Sequence, residues 1–113
     1  FSEVMNDYRL VLVTAPDMES ARKLVKGAVE RRFAACGKII SNIESHYWWE
    51  GKLQHNLECQ LLYKTHNECI GDLQDWIVSE HPFETPEFVV IPLESGFEKY
   101  LDWIKAETRA ADA

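Results

Sequence analysis

The side chains in this 113-residue chain that can do chemistry fall into three groups. Cys36, Cys59 and Cys69 are its only cysteines. A thiolate is a soft ligand for Cu(I) or zinc, and an unliganded cysteine packs as a small apolar side chain. Cys36, where a predicted helix hands over to an extended segment, is open to both readings. Cys59 and Cys69 fall on apolar rows and read as core. His81 and Glu84 form the second group, in the loop His81-Pro82-Phe83-Glu84-Thr85-Pro86-Glu87. Two prolines stiffen that loop, so imidazole and carboxylate can be held in fixed directions, as zinc or Cu(II) requires. Two ligands are too few, so a metal there needs a third from water or another subunit. In the plainer alternative, His81 caps the end of a helix and Glu84 is solvated. The third group is Tyr47-Trp48-Trp49, followed by Glu58 and Lys64. Aromatic residues concentrate at interface centres, and these three suit oligomer packing or the lining of a small-ligand cleft. Glu58 and Lys64 would supply polar groups to that cleft with Trp49, or pair across a subunit seam. His46, His55 and His66 show no paired spacing and read as surface residues. There is no Ser/His/Asp set, P-loop, dinucleotide fingerprint or HExxH, so the expectation is a protein that is not an enzyme.

The elements that must position these groups follow from periodicity. Arg9 to Thr14 is a mostly apolar run suited to a strand buried on both faces. Asp17 can cap a helix whose stripe is Ala21, Leu24, Val25, Ala28 and Val29. Cys36 to Thr65 reads as two long strands folded about Glu50-Gly51-Lys52, where glycine serves a tight turn. On the second arm Leu57, Cys59, Leu61 and Tyr63 alternate with the more polar row Glu58, Gln60, Leu62 and Lys64. Thr65-His66-Asn67-Glu68 matches a capping box, with Asn67 as an alternative cap, for a helix that Pro82 ends. Cys69, Leu73, Trp76 and Ile77 share one side of that helix. Phe88 to Leu93 is a second apolar strand, with Pro92 near its end pointing to an edge or a termination. Ser95-Gly96-Phe97-Glu98 repeats the capping-box pattern before a last helix carrying Phe97, Tyr100, Leu101 and Ile104. The order β-α-β-β-α-β-α defines an α+β class, a ferredoxin-like βαββαβ sandwich with an extended central hairpin and an extra C-terminal helix.

That hairpin outgrows its globule. Each arm of about 13 residues spans roughly 40 Å, while a chain of this length folds to a radius of gyration near ~13 Å. The aromatic tip therefore needs a partner, and with the helices on one face the other sheet face needs cover. A cyclic homotrimer packed sheet to sheet, each hairpin reaching a neighbour, answers both needs.

The formal charge of −7 and scattered Lys and Arg argue against nucleic acid. No segment has the roughly 20 apolar residues that membrane insertion takes. Phe1 to Asp7 does not resemble a signal peptide, although the chain starts at Phe, and an upstream targeting segment remains open. Three cysteines without CxxC spacing suit a reducing, cytoplasmic setting. The expected organisation is a tail over 1–8, one domain over 9–105 and a tail over 106–113.

Four motifs give the chain a family resemblance: VLVTAPD at 11–17, RFAAC at 32–36, YWWEGKL at 47–53 and HPFETPE at 81–87, with LDWI at 101–104 as a weaker fifth. In order and spacing they resemble the CutA1-type divalent-cation tolerance proteins. The resemblance implies a ferredoxin-like subunit in a tight homotrimer, similar in shape to the PII signalling proteins, with clefts between subunits. It also implies binding of divalent metal, notably copper, a response to metal ions and, in animal relatives, a role in acetylcholinesterase assembly at the membrane. The expected metal ligands are Cys36, His81 and Glu84, the cleft residues Glu58, Lys64 and Trp49, and the trimer contacts Tyr47, Trp48 and Trp49. Copper or another divalent cation would be bound but not needed for folding. The alternative function is a non-catalytic trimeric scaffold for an unknown protein partner. Val13 stands where some relatives carry Cys, Gly37-Lys38 where Val-Asn is usual, and Phe83 where Tyr is usual.

Overall fold

The computed structural model describes residues 7–111. Its elements are β1 (Tyr8–Ala15), α1 (Met18–Glu30), β2 (Cys36–Trp49), β3 (Lys52–His66), a 3-10 turn (Asn67–Cys69), α2 (Ile70–Glu80), β4 (Val89–Pro92) and α3 (Glu98–Glu107). The sheet order is β2-β3-β1-β4, with every neighbouring pair antiparallel. This is the expected ferredoxin-like arrangement. Residues 1–6 of the expected N-terminal tail and 112–113 of the C-terminal one lie outside the described residues.

Alternation decides what each strand buries. Val11, Val13 and Ala15 of β1 join Cys59, Leu61 and Tyr63 of β3 beneath Ala21, Leu24 and Ala28 of α1 and Leu73 and Ile77 of α2. The opposite row is only half-buried at Leu10 and Leu12, so β1 is not covered on both faces as its apolar run suggests. The difference lies in α3. It crosses to the second face at one end of the sheet, where Leu101 and Ile104 enclose Tyr8 and Ala35. The strand accordingly starts at Tyr8, one residue before the expected Arg9. β4 is the edge strand that Pro92 indicated, and its Val89, Val90 and Ile91 are exposed.

The chain after α3 is tied down. Arg109 N–H donates to the Arg32 carbonyl, and Ala111 N–H to Asp72 Oδ2. Arg32 also pairs with Glu107. Contacts of the chain beyond the expected boundary at 105 thus extend as far as Ala111.

Caps follow the same local logic with mixed outcomes. Asp17 caps α1 as expected, accepting the Ser20 N–H at 2.7 Å. That bond holds its carboxyl below the ordinary 3.8. A depressed carboxylate stabilises the fold above its unfolded value, and the contribution disappears as pH falls through the folded one. Neither capping box forms. Thr65 stays in β3 and donates its hydroxyl to the Phe33 carbonyl, while His66 Nδ1 accepts the Glu68 N–H. α3 starts behind Phe97 with no side-chain cap, so Ser95 plays no such role.

α1 and α2 touch where Gly27 meets Trp76. A Cβ on Gly27 would lie 2.3 Å from two atoms of the indole ring. The same ring stacks under the Arg31 guanidinium, 4.9 Å from its centroid. Helix propensity alone would reward alanine here by about 1 kcal/mol. Overpacking costs roughly 1–3 kcal/mol and wins. Gly27→Ala should therefore lower the urea midpoint, and a raised midpoint would contradict this packing.

The hairpin turns on two residues, Glu50 (φ 50°) and Gly51 (φ 76°), with Trp49 opposite Lys52. Both central residues are left-handed, the geometry that matches strand twist in two-residue hairpins. Lower down, a β-bulge between Ile40 and Ile43 inserts one extra residue into β2, with Asn42 at φ 59°. The ribbon stretches the subunit to 46 × 28 × 22 Å and its radius of gyration to 14.8 Å.

Candidate functional site

The loop after α2 is fixed at both ends by side chains that reach β1. His81 ends the helix, its N–H bonding to the Ile77 carbonyl. Its ring then turns inward and is 8% exposed. Nε2–H donates to the Thr14 carbonyl at 2.7 Å, and Nδ1 accepts the Phe83 N–H at 3.0 Å. At the other end Gln60 donates from Nε2 to both the Val13 carbonyl and Glu87, each at 3.0 Å.

Between these anchors Pro82 to Pro86 face the hairpin across a groove of about 850 Å³. Thr14, Tyr47, Trp49 and Glu58 line it from the sheet, and the lining reaches Glu44, Ser45 and His46 on the edge strand β2. Asn56 fixes Tyr47 by donating to its hydroxyl. Glu58, Glu84 and Glu87 line the groove, Glu44 borders it from the edge strand with its carboxylate turned to His46 on the opposite face, and among the described residues the lining holds no Lys or Arg. Such a concave acidic wall concentrates cations.

The residues expected to act together are divided between two ends of the sheet. Glu58, Trp49 and Glu84 share the groove with Tyr47. Trp48, on the opposite face of β2, pairs with Leu53 and is exposed. Lys64 lies elsewhere. Its ammonium donates to the Tyr100 hydroxyl at 3.1 Å and sits over that ring. The Tyr100 bond raises its pKa, against the opposing effect of desolvation. Cys36 is in the same cluster, its sulfur 3.8 Å from the Tyr100 hydroxyl. Its rung continues through Lys64 to Leu10, whereas His81 bonds at Thr14, four residues along β1, or roughly 13 Å away. Cys36, His81 and Glu84 thus do not form one ligand set within a subunit. His81 also has both ring nitrogens committed, so it acts as the loop's clamp rather than as a ready ligand. Cys59 and Cys69 are buried as expected. His66 is buried too, packed edge-on against Tyr8 instead of lying at the surface.

One set escaped the sequence reading. Glu44, His46 and His55 bring their ligand atoms within 4.8 Å of one another on the exposed hairpin. The signal was present in the two-residue turn. If Trp49 faces Lys52, counting back places His46 opposite His55, with Glu44 two residues further along the same face.

The fold and groove define a class: a small α+β protein with a ferredoxin-like sheet, an overlong hairpin and an acidic groove. The chain belongs to the CutA1 divalent ion tolerance protein family, whose model matches residues 9–107. It is 39% identical over 97 residues to the divalent-cation tolerance protein CutA of Yersinia pestis (strain Pestoides F), covering 86% of this chain and 82% of that one. It is 37% identical over 100 residues to the chloroplastic protein CutA 1 of rice, covering 88% of this chain and 56% of the relative, so it spans little more than half of that protein. The solved divalent cation tolerance protein (Cut A1) of Thermus thermophilus superposes with a TM-score of 0.88 at 36% identity, covering 90% of this chain and 99% of that one.

Proposed function

We propose that the protein is a non-catalytic, PII-like homotrimer that binds a divalent cation, copper as Cu(II) foremost, or a small ligand in intersubunit clefts, and so contributes to the response to metal ions. The observation that carries this reading is the groove's three carboxylates, Glu58, Glu84 and Glu87, with no Lys or Arg among the described lining residues. Its open side leaves room for a neighbouring subunit to complete a ligand set. Oxygen donors with imidazole nearby suit Cu(II) better than Cu(I), because Cys36 lies at the far end of the sheet. Three free cysteines suit a reducing, cytoplasm-like compartment. Among the described residues, no helix is long and apolar enough to cross a membrane.

Titration calorimetry with Cu(II), Zn(II) and Mg(II) tests the groove. Glu58→Gln combined with Glu84→Gln should weaken Cu(II) binding at least tenfold, and an unchanged isotherm would remove the groove as the site. The exposed apolar edge strand β4, with Val89, Val90 and Ile91, favours a scaffold as the second reading. A stoichiometric protein partner recovered with the native trimer supports it, and repeated recovery of the trimer alone counts against it.

A further inference from the structure

We propose that Glu44, His46 and His55 form a transition-metal site of the two-imidazole, one-carboxylate type, taking Zn(II) or Cu(II) with water in the remaining position. This deepens the cation-binding reading by naming a site on the hairpin. It depends on His55, which does not line the groove, so the two can fail separately.

The ribbon's register fixes the geometry. His46 and His55 occupy one rung, and directly opposed residues in an antiparallel pair have Cβ atoms about 5 Å apart. Their rings stack with centroids 4.4 Å apart and 17° between planes. Both Nε2 atoms approach a single carboxylate oxygen, Glu44 Oε2, which is hydrogen-bonded to His46 at 2.7 Å and lies 3.5 Å from His55. Four-coordinate zinc with ligands at about 2.0–2.1 Å holds its donor atoms roughly 3.3 Å apart. The two observed distances bracket that value. The largest separation within the triad, at most 4.8 Å, closes by about 1.5 Å through side-chain rotation alone.

The surroundings agree with a cation. The remaining residues on this face of the distal ribbon, Trp48, Leu53 and Leu57, are apolar, so no lysine or arginine competes for Glu44 there. All three ligand residues are exposed, which leaves an entry path and space for water. Two imidazoles select the borderline metals over Mg(II) and Ca(II), and the absence of sulfur argues against Cu(I). The backbone rung is already formed, so binding needs only rotamer adjustment.

The test uses the full chain with Zn(II) and Cu(II) by equilibrium dialysis, together with imidazole NMR during zinc titration. Wild type should take up one hairpin metal per subunit, and the His46 and His55 ring resonances should shift before those of His66 and His81. His46→Ala and His55→Ala should each weaken this binding at least tenfold, and Glu44→Gln less. Both histidines are exposed, so thermal melts of the metal-free variants should match wild type. Glu58→Gln combined with Glu84→Gln should leave the hairpin signal intact, which separates this site from the groove. Equal affinity in both histidine variants, or first shifts at His66 or His81, would overturn the proposal.

Discussion

Trp48→Glu combined with Leu53→Glu is expected to reduce the proposed trimer to folded single chains of 13.1 kDa, read by light scattering against three times that mass expected for wild type. The two side chains share a rung, and in the subunit they are 72% and 63% exposed. Leu57, 62% exposed, lies further down the same face beyond His46 and His55 and is not part of this ridge. An apolar ridge on an arm that leaves the globule must be covered elsewhere. Burial of a tryptophan or leucine contributes about 1.5–3 kcal/mol, and the pair repeated in three subunits amounts to roughly 10 kcal/mol. Glutamates there would add several kcal/mol each in desolvation. Neither substitution touches the subunit's own core, so circular dichroism should show an intact fold. A variant that still runs as trimer and melts unchanged would refute the role given to this ridge.

His81→Ala is expected to cost about 3 kcal/mol of stability, which for a domain of this size lowers the melting temperature by roughly 10 °C. The substitution leaves the Thr14 carbonyl and the Phe83 N–H, both part-buried, without their partner. Burial without replacement costs about 1–3 kcal/mol for each such group. The loop carrying Glu84 and Glu87 would loosen as well, so groove affinity for Cu(II) should fall in parallel. His81→Gln supplies the control. Its amide nitrogen can still donate towards Thr14, but its one acceptor, Oε1, lies beyond the position of Nδ1 that takes the Phe83 N–H, so it should recover about half of the loss. If Ala and Gln melt together with wild type, the clamp is not structural and a ligand role returns.

Much of the fold was legible because it obeys short-range rules. The stripe of α1, the Asp17 cap, the edge position of β4 and the row Glu58, Gln60, Leu62 and Lys64 all follow from spacing and residue type. What failed depended on long-range neighbours. The apolar run of β1 looks the same whether its second face meets a helix or remains half-open, and only the path of α3 decides. Thr65 had the form of a cap, yet the Phe33 carbonyl 32 residues away took its hydroxyl.

Lys64 fails for a similar reason. Strand parity correctly put it on the face of Glu58, but Tyr100 from the last helix draws the ammonium into a different cluster. His81 was visible as a loop residue, whereas the commitment of both its nitrogens was not. The hairpin triad was hidden by the extra residue in β2. Strict alternation from Cys36 would place Glu44 and His46 on the face of Lys38 and Ile40, and the bulge reverses that parity beyond Ile40.

The same extra residue bears on solubility. β2 lies at the margin of the sheet, and 14 uninterrupted residues of unpaired backbone would invite other chains to add on indefinitely. A bulge bends and twists its strand. At Asn42 it breaks that long docking rail into two short lengths pointing in different directions. A fitted neighbour can follow the bend, whereas a fibril, which propagates along straight templates, cannot.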